Sequence, residues 1–570
     1  MRARALPRED CCLRASRNKA YGDDTVRGRF RLATLSGMFA SFGSIEWDKE
    51  KRGSAPEGVS YRYVLVKQGT VQVVDEEPFT RTNLKEVGLN QFYGRPWTRK
   101  EDVRTFEPIA PARYDRVASN LHPQDQIPTL HIIGDQNDID TLHKNYLQDI
   151  DTHVNVTYIS ADQVLSFSDA KFKLGGRTSR MQNKASYNLN LAKHTKLEGF
   201  RKLKIRAMPE DPSYLREKLA FDMLQAAGNP ATQASYIRLF INRRAIGLFL
   251  LEEKYDKTWL RAEFNGGQDP YETGMLYRGD GVSPGSDLVY HGQDTQHYAK
   301  GYSIKAQRDN VNATDAGLKD LIDFMRYLDN ELRKDPNTVS VEEWDKRINL
   351  DTFFTSMALE FLHSAGDGYL MDANNWYLYE ADVSATPPRF TWLSWDLESV
   401  MGSGYNNYQQ TVQGDYTSFP GMQVRPLAKL MVSVPALDAR FRSVLHSIAT
   451  RIYDPKVSFP VIDSLVEFIR ADVAWDTSLP RMRSGLNHIP LIGGPNLVQN
   501  LLNHDALGTL SAQQPLSFDA VRAVDFFARV NSHVDFDMAV QGPTGHSSLY
   551  GVKEWIEAKS NNVHSYLEAH

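Results

Sequence analysis

In the C-terminal half of the chain, aromatic and apolar positions fall into two short runs, Asn375-Trp-Tyr-Leu-Tyr-Glu380 and Arg389-Phe-Thr-Trp-Leu-Ser-Trp395. Small residues and Pro387-Pro388 separate them, which predicts two strands paired as a hairpin about a turn near residue 385. Pairing about that turn sets Asn375 opposite the neighbourhood of Trp395 and Asp396. It leaves Asp367 in the polar loop that feeds the first strand. Just upstream, Phe353, Phe354, Met357 and Phe361 recur at helical spacing, which predicts a buried helix supporting that loop.

The same reading extends along the chain. Short alternating runs at Tyr61–Lys67 and Thr70–Val74 predict strands of a small β-sandwich-like domain over 31–115, after a disordered or mis-assigned leader at 1–30. A proline-rich linker follows, then a strand at Thr129–Ile133 and a helix over Asp138–Asp149. Lys184–Leu191 and Phe200–Arg206 are strand candidates. Asp211-Pro-Ser213 is expected to open a helix through Arg216, Leu219 and Leu224, with Pro212 in its first turn. Tyr236–Asn242 and Ile246–Glu253 should form a hairpin across Arg243-Arg244, and the chain after about 425 should be largely helical.

Composition narrows the class. At 570 residues, 41% hydrophobic and 24% charged, the chain has ample core for a globular protein. A net charge of −5 and scattered basic residues give no case for nucleic acid or an anionic membrane surface. The two cysteines, Cys11 and Cys12, are adjacent and lack the partners of a metal site. No apolar run reaches transmembrane length, and the charged start lacks the apolar core of a signal peptide. Neither a signal peptide nor an anchor is therefore expected. Asn155-Val-Thr157 and Asn312-Ala-Thr314 are glycosylation sequons.

Two carboxylates and a carboxamide at one end of a hairpin suit phosphoryl transfer. One Asp orients the attacking hydroxyl, while a second Asp and an Asn hold the divalent metal that bridges the phosphates. The order Asp367, Asn375, Asp396 follows that of a protein-kinase site, although Asn375 lies eight positions after Asp367 where a kinase loop has about five. Asp372 is an alternative base in the same loop. A kinase site also needs a cation on the phosphates and an acid to hold it. Lys184, Lys204, Arg206 and Arg216 are candidates for the cation and Glu253 for the acid, and Gly175-Gly-Arg-Thr-Ser179 is a weak phosphate-loop candidate. Asp135–Asp140 hints at a calcium loop, but its twelfth position is Tyr146 rather than Glu, so an acidic turn is favoured.

Five segments in order resemble the CotH kinase family, known from a bacterial spore-coat protein and from Mucorales fungi. They are Lys184-Ala-Ser-Tyr187, Asp211-Pro-Ser-Tyr-Leu-Arg-Glu-Lys-Leu219, Ile241-Asn through Glu253, Asp367-Gly-Tyr through Tyr379, and Trp395-Asp396 to Gly402. The likeness covers about residues 125–568, and Phe79-Thr-Arg81 with Leu89–Arg95 is similar to the β domain preceding the kinase-like part in fungal members. The resemblance implies an α+β, atypical protein-kinase-like fold with a β-rich N-lobe and a helical C-lobe. It implies ATP- and Mg- or Mn-dependent phosphorylation of Ser/Thr on secreted or cell-surface proteins. Carried over by position, Asp367 is the catalytic Asp, Asn375 and Asp396 hold the metal, and Glu398 stands where a second acid is usual. Lys184 matches the family best as the phosphate cation. Gly366 occupies a place where an aromatic or polar residue is more usual, which suggests a looser loop. An invasin-type surface adhesin engaging a host receptor and a nucleotide-binding pseudokinase are the alternative readings.

Overall fold

The computed structural model describes residues 29–34, 60–66, 73–82, 89–176, 178–281, 285–308, 315–483, 516–530 and 532–567. Cys11, Cys12, the Asn312 sequon and nearly all of the expected leader lie outside these residues, as does Arg177 of the Gly175–Ser179 turn. Near the N-terminus, β1 (Arg29–Thr34), β2 (Ser60–Val66), β3 (Val73–Glu76) and β4 (Arg81–Thr82) form a sheet in which β2 pairs with the other three. Arg81 joins this sheet to the following segment, since it pairs with buried Glu77 and its Nη2 donates to the Phe92 and Arg95 carbonyls at 2.9 and 2.8 Å.

Seven strands then close into a barrel: β5 (Thr129–Gly134), β6 (Asp151–Ile159), β7 (Val164–Leu174), β8 (Tyr187–Asn190), β9 (Lys202–Arg206), β10 (Ala234–Ile241) and β11 (Arg244–Glu253). The order around the barrel is β10-β11-β9-β8-β7-β6-β5, and a parallel β5–β10 pair closes it. Strand β6 alternates exposed and buried positions, as a strand with one face in a core must. Leu203 and Ile205 of β9 join the barrel's interior cluster. Lys202, Lys204 and Arg206 therefore project from the outer face. The β10–β11 turn is Asn242-Arg243, one residue earlier than the pattern suggested. Both residues take left-handed φ, +46° and +66°, as a two-residue type I′ hairpin turn needs.

The second sheet orders β13 (Tyr302–Ala306), β12 (Leu276–Asp280), β14 (Asn374–Asp382) and β15 (Arg389–Ser394). Helices flank both sheets, among them α1 (Gln136–Lys144), α2 (Arg216–Ala226), α3 (Lys257–Phe264), α4 (Leu350–His363), α5 (Pro435–Ile448), α6 (Pro455–Ser478) and α7 (Val552–Leu567). Asp135 caps α1 by accepting the Asn137 and Asp138 N–H groups, so the acidic run there is a helix start. Helix α2 begins at Arg216 rather than at Pro212. Tyr214 takes φ +60°, which no helix continues, while the Asp211 carboxylate accepts the N–H of Arg216 at 2.8 Å. The molecule is thus a mixed α/β fold, with a closed barrel where the pattern showed only separate strands.

Candidate active site

Helix α4 carries the apolar stripe Phe353, Phe354, Met357 and Phe361 into the core, and Ser364 ends it in a left-handed cap. The loop after it is tightly seated. Gly366 donates its N–H to the Ser399 carbonyl at 2.9 Å, and a β-carbon there would lie 1.9 Å from Asn406 Nδ2. A side chain at 366 has no room, so the loop is not the looser one expected from glycine. A β-carbon at Gly368 would meet Glu360 Oε2 at 2.8 Å. That buried Glu360 carboxylate accepts the Tyr369 and Leu370 N–H groups, and burial pushes its pKa up to about 7.

Asp367 emerges from this loop held by two carboxamides. Asn375 Nδ2 donates to Oδ2 at 2.7 Å and Asn374 Nδ2 to Oδ1 at 2.8 Å. Asp372 hydrogen-bonds the same carboxylate, and burial followed by the Asp367 charge pushes Asp372 up to about 9.

The hairpin joins Asp396 to this group. Trp376 pairs with Ser394, and one step further the Trp395 N–H donates to the Asn375 carbonyl at 3.0 Å. Asn375 and Asp396 then sit side by side, both with left-handed φ of +55° and +56°, which turns their side chains out of the ladder. The Arg206 guanidinium meets the Asp396 carboxylate, with Lys204 Nζ 3.4 Å from its Oδ2. Arg206 also reaches Glu398 at 3.2 Å and is gripped through two bonds by Glu217 of α2, one of them 2.8 Å. Burial pushes Glu398 up to about 8 against the pull of Arg206. Burial likewise acts to raise Glu217, yet Arg206 and Lys204 hold it below the usual carboxylate range. Glu210 completes the group on the loop before α2. Its carboxyl is raised by burial, accepts a bond from Gln182 Nε2, and feels the charges of Arg206 and Asp367.

Two of the expected nucleotide residues lie elsewhere. Lys184 is buried against Asp476 of α6 at 3.1 Å, donates to the Leu248 carbonyl, and lies over the rings of Phe249 and Tyr214. Burial brings it down to about 8. Glu253 pairs instead with Arg116 and with His122 at 3.2 Å. Burial works against it, but Arg116 and His122 bring Glu253 down to about 2. The expected Lys184–Glu253 couple is therefore not assembled. Strand parity explains the switch: Lys204 stands opposite Glu252 in the β9–β11 register, and Glu253 points to the other face. Glu252 lies 3.9 Å from Lys204, and burial followed by the neighbouring Glu217 charge pushes it up to about 8. Glu210, Glu217, Glu252 and Asn374 were missed. The Glu252-Glu253 doublet facing Lys204-Ile-Arg206 was the readable signal.

Asp396, Asp367, the Asn375 amide and Glu398 offer oxygen atoms alone, the hard donor type that a magnesium ion would take. Among the described residues, no group of three or more His, Cys, Asp or Glu is placed to hold a metal ion. Both Asp396 oxygens face cations of the barrel, Oδ1 the Arg206 guanidinium and Oδ2 Lys204 Nζ. Among the described residues, no helix is long and apolar enough to cross a membrane.

Comparison with known proteins supplies the family. The chain is 28% identical to Invasin CotH3 of Rhizopus delemar over 455 residues, covering 76% of this chain and 71% of that protein. It is 26% identical to Invasin CotH2 of the same fungus, covering 72% and 69%. It is 25% identical to that fungus's Spore coat protein homolog 1 over 520 residues, covering 90% and 75%. The family described as CotH kinase protein matches residues 172–479, more than half of the chain and a span that holds every residue of the acid–arginine cluster. The chain belongs to the CotH kinase protein family.

Proposed function

We propose that the protein is an ATP- and Mg-dependent atypical kinase that phosphorylates Ser/Thr hydroxyls of secreted or cell-surface proteins. The observation that carries this reading is the convergence of Asp367, Asn375, Asp396 and the Arg206–Glu217 pair in one cluster. The barrel face bearing Lys204 and Arg206 takes the role of a donor lobe, and the helical part with the Asp367 loop that of an acceptor lobe. Asp367 accepts the proton of the attacking hydroxyl, kept in aim by Asn374 and Asn375. Arg206, fixed by Glu217, neutralises phosphate charge as a preorganised guanidinium. Asp396 and Asn375 would hold the magnesium ion, which supplies charge neutralisation between the phosphates when bound.

The test is transfer of radiolabel from γ-labelled ATP to a generic acceptor protein with Mg²⁺ or Mn²⁺. Transfer by the natural chain that disappears in Asp396→Ala is expected. Undiminished transfer by that variant removes the metal assignment, and no transfer to any acceptor removes the kinase reading.

A second reading is favoured by the names Invasin CotH3 and Invasin CotH2 of two relatives: a surface protein that engages a host receptor. Host-cell binding that survives Asp396→Ala unchanged would place adhesion outside this cluster. A pseudokinase would bind ATP with Mg²⁺ in a thermal-shift assay and transfer nothing.

A further inference from the structure

The end of the β14–β15 hairpin away from the transfer cluster carries a groove that the mechanism above does not use. It has a volume of about 500 Å³ and lies between the helix Lys319–Glu331 and the hairpin turn at Pro387-Pro388. Strand β14 runs from Asn374 to Asp382, so at about 3.3 Å per residue the groove opens roughly 25 Å from Asn375. An aromatic row underlies it. Phe390 packs on Phe324 with ring centres 5.4 Å apart, Phe324 on Trp344 at 6.1 Å, and Trp344 on Tyr327 at 5.1 Å. The turn on the other side is held by Asp382, whose carboxylate accepts the N–H and the hydroxyl of Ser384 at 2.9 and 2.6 Å.

Arg347 closes the row. Its carbonyl accepts the Phe390 N–H at 2.8 Å, which ties its backbone to β15, and its guanidinium lies 4.1 Å from the centre of the Tyr327 ring. Half-buried there, it has no carboxylate at ion-pair distance among the described residues. The acids around it are matched to other cations: Glu331 to Lys334 at 2.6 Å, Glu343 to Lys346 at 2.6 Å, and Asp345 to Arg389 at 3.0 Å. Within the groove, Asp323 faces both Lys319 and Arg326, and Asp320 faces Arg308 at 3.2 Å. Three cations line the groove against two carboxylates, and Arg347 is the one left without a counter-charge.

A guanidinium fixed by its backbone and by stacking presents its donors as a rigid fork, which matches a carboxylate at two points. The aromatic and proline walls beside it suit apolar side chains of an extended peptide. We propose that this groove docks an acidic stretch of the protein substrate, in which apolar residues alternate with Asp or Glu and one carboxylate sits on Arg347. Its use in docking a substrate rests on the kinase reading, whereas binding of the acidic peptide does not. A substrate that occupies both places needs at least about eight extended residues between the docked acid and the acceptor hydroxyl.

The experiment is fluorescence anisotropy of the full chain with short labelled peptides in which leucine alternates with glutamate, glutamine or lysine. The glutamate peptide is expected to bind, with affinity that falls as salt rises, and the other two to bind at least about tenfold more weakly. Arg347→Met, which keeps an apolar stem over Tyr327, should weaken the glutamate peptide about tenfold. Asp367→Asn and Asp396→Ala should leave that binding unchanged, which separates the groove from the transfer cluster. In the transfer assay, an acceptor carrying the acidic stretch should show KM raised about tenfold by Arg347→Met with kcat unchanged. Absence of all transfer removes the kinase reading, and the binding measurements then decide the groove alone. The proposal is overturned if the glutamate peptide does not bind, if the lysine peptide binds as tightly, or if a folded Arg347→Met variant binds as well as the natural chain. Displacement of the label by polyadenylate at lower concentration than by unlabelled glutamate peptide would also overturn it, giving the groove to nucleic acid. Should Arg347→Met fail to fold, Arg326→Gln at the exposed rim decides, with an expected loss of about threefold.

Discussion

Glu217→Gln probes the pair on which the donor side depends. Both partners are sealed from water, the side chains of Arg206 and Glu217 being 2% exposed. Removing one member of a buried pair costs about 3–5 kcal/mol because the other charge stays behind unpaired. Here the loss should fall near the lower end, about 3 kcal/mol, since Arg206 keeps Asp396 and Glu398 as neighbours and glutamine keeps an acceptor oxygen. Glu398, pushed up to about 8 by burial, then ionises more readily to replace the lost charge. The assay is urea denaturation of the natural chain, Glu217→Gln, Arg206→Met and the double variant, with ATP affinity measured on each. The pair should show a coupling of at least about 2 kcal/mol, and both single variants should lose ATP binding together. Single effects that add to within about 0.5 kcal/mol would refute the reasoning, because additivity means the two side chains do not share an interaction.

Other expectations follow from the same geometry. Gly366→Ala should cost about 1–3 kcal/mol by thermal melting and lower transfer, as the added methyl drives into Asn406. Glu253→Gln should destabilise the fold by a few kcal/mol, roughly the cost of a broken buried pair, while leaving ATP affinity unchanged, because Arg116 and His122 lie off the cluster. Glu252→Gln should change that affinity. His363 is buried against Met223 and Tyr453, and burial brings it down to about 3. Its folded pKa lies below the unfolded value, so its contribution is complete above about pH 6.5 and is lost as pH falls toward 3, by at most about 1.4 kcal/mol per unit. A shallower acid limb in His363→Gln, read by denaturation at several pH values, is the expected result.

The hairpin was legible because two short aromatic runs flank a proline break, and the register Trp376↔Ser394 that sets Asn375 beside Asp396 follows from counting back from the turn. The buried stripe on α4 was legible for the same local reason. The barrel was not, because closure joins β5 to β10 across about a hundred residues and leaves no local mark. Strand β6 carries a clear alternation of exposed and buried positions that the sequence reading left unassigned. The acid partner of the basic strand was misplaced by one residue, and in a strand one residue changes the face. Lys184 was ranked first among four candidate cations by resemblance, and its Asp476 partner, nearly three hundred positions away, is a tertiary fact that no local pattern contains.

The most direct test compares Asp367→Asn with the natural chain for ATP affinity and for single-turnover transfer of labelled phosphate. The account predicts unchanged ATP affinity with transfer reduced by about 10²–10⁴-fold, the usual worth of a positioned base. Transfer by Asp367→Asn at the natural rate would contradict it.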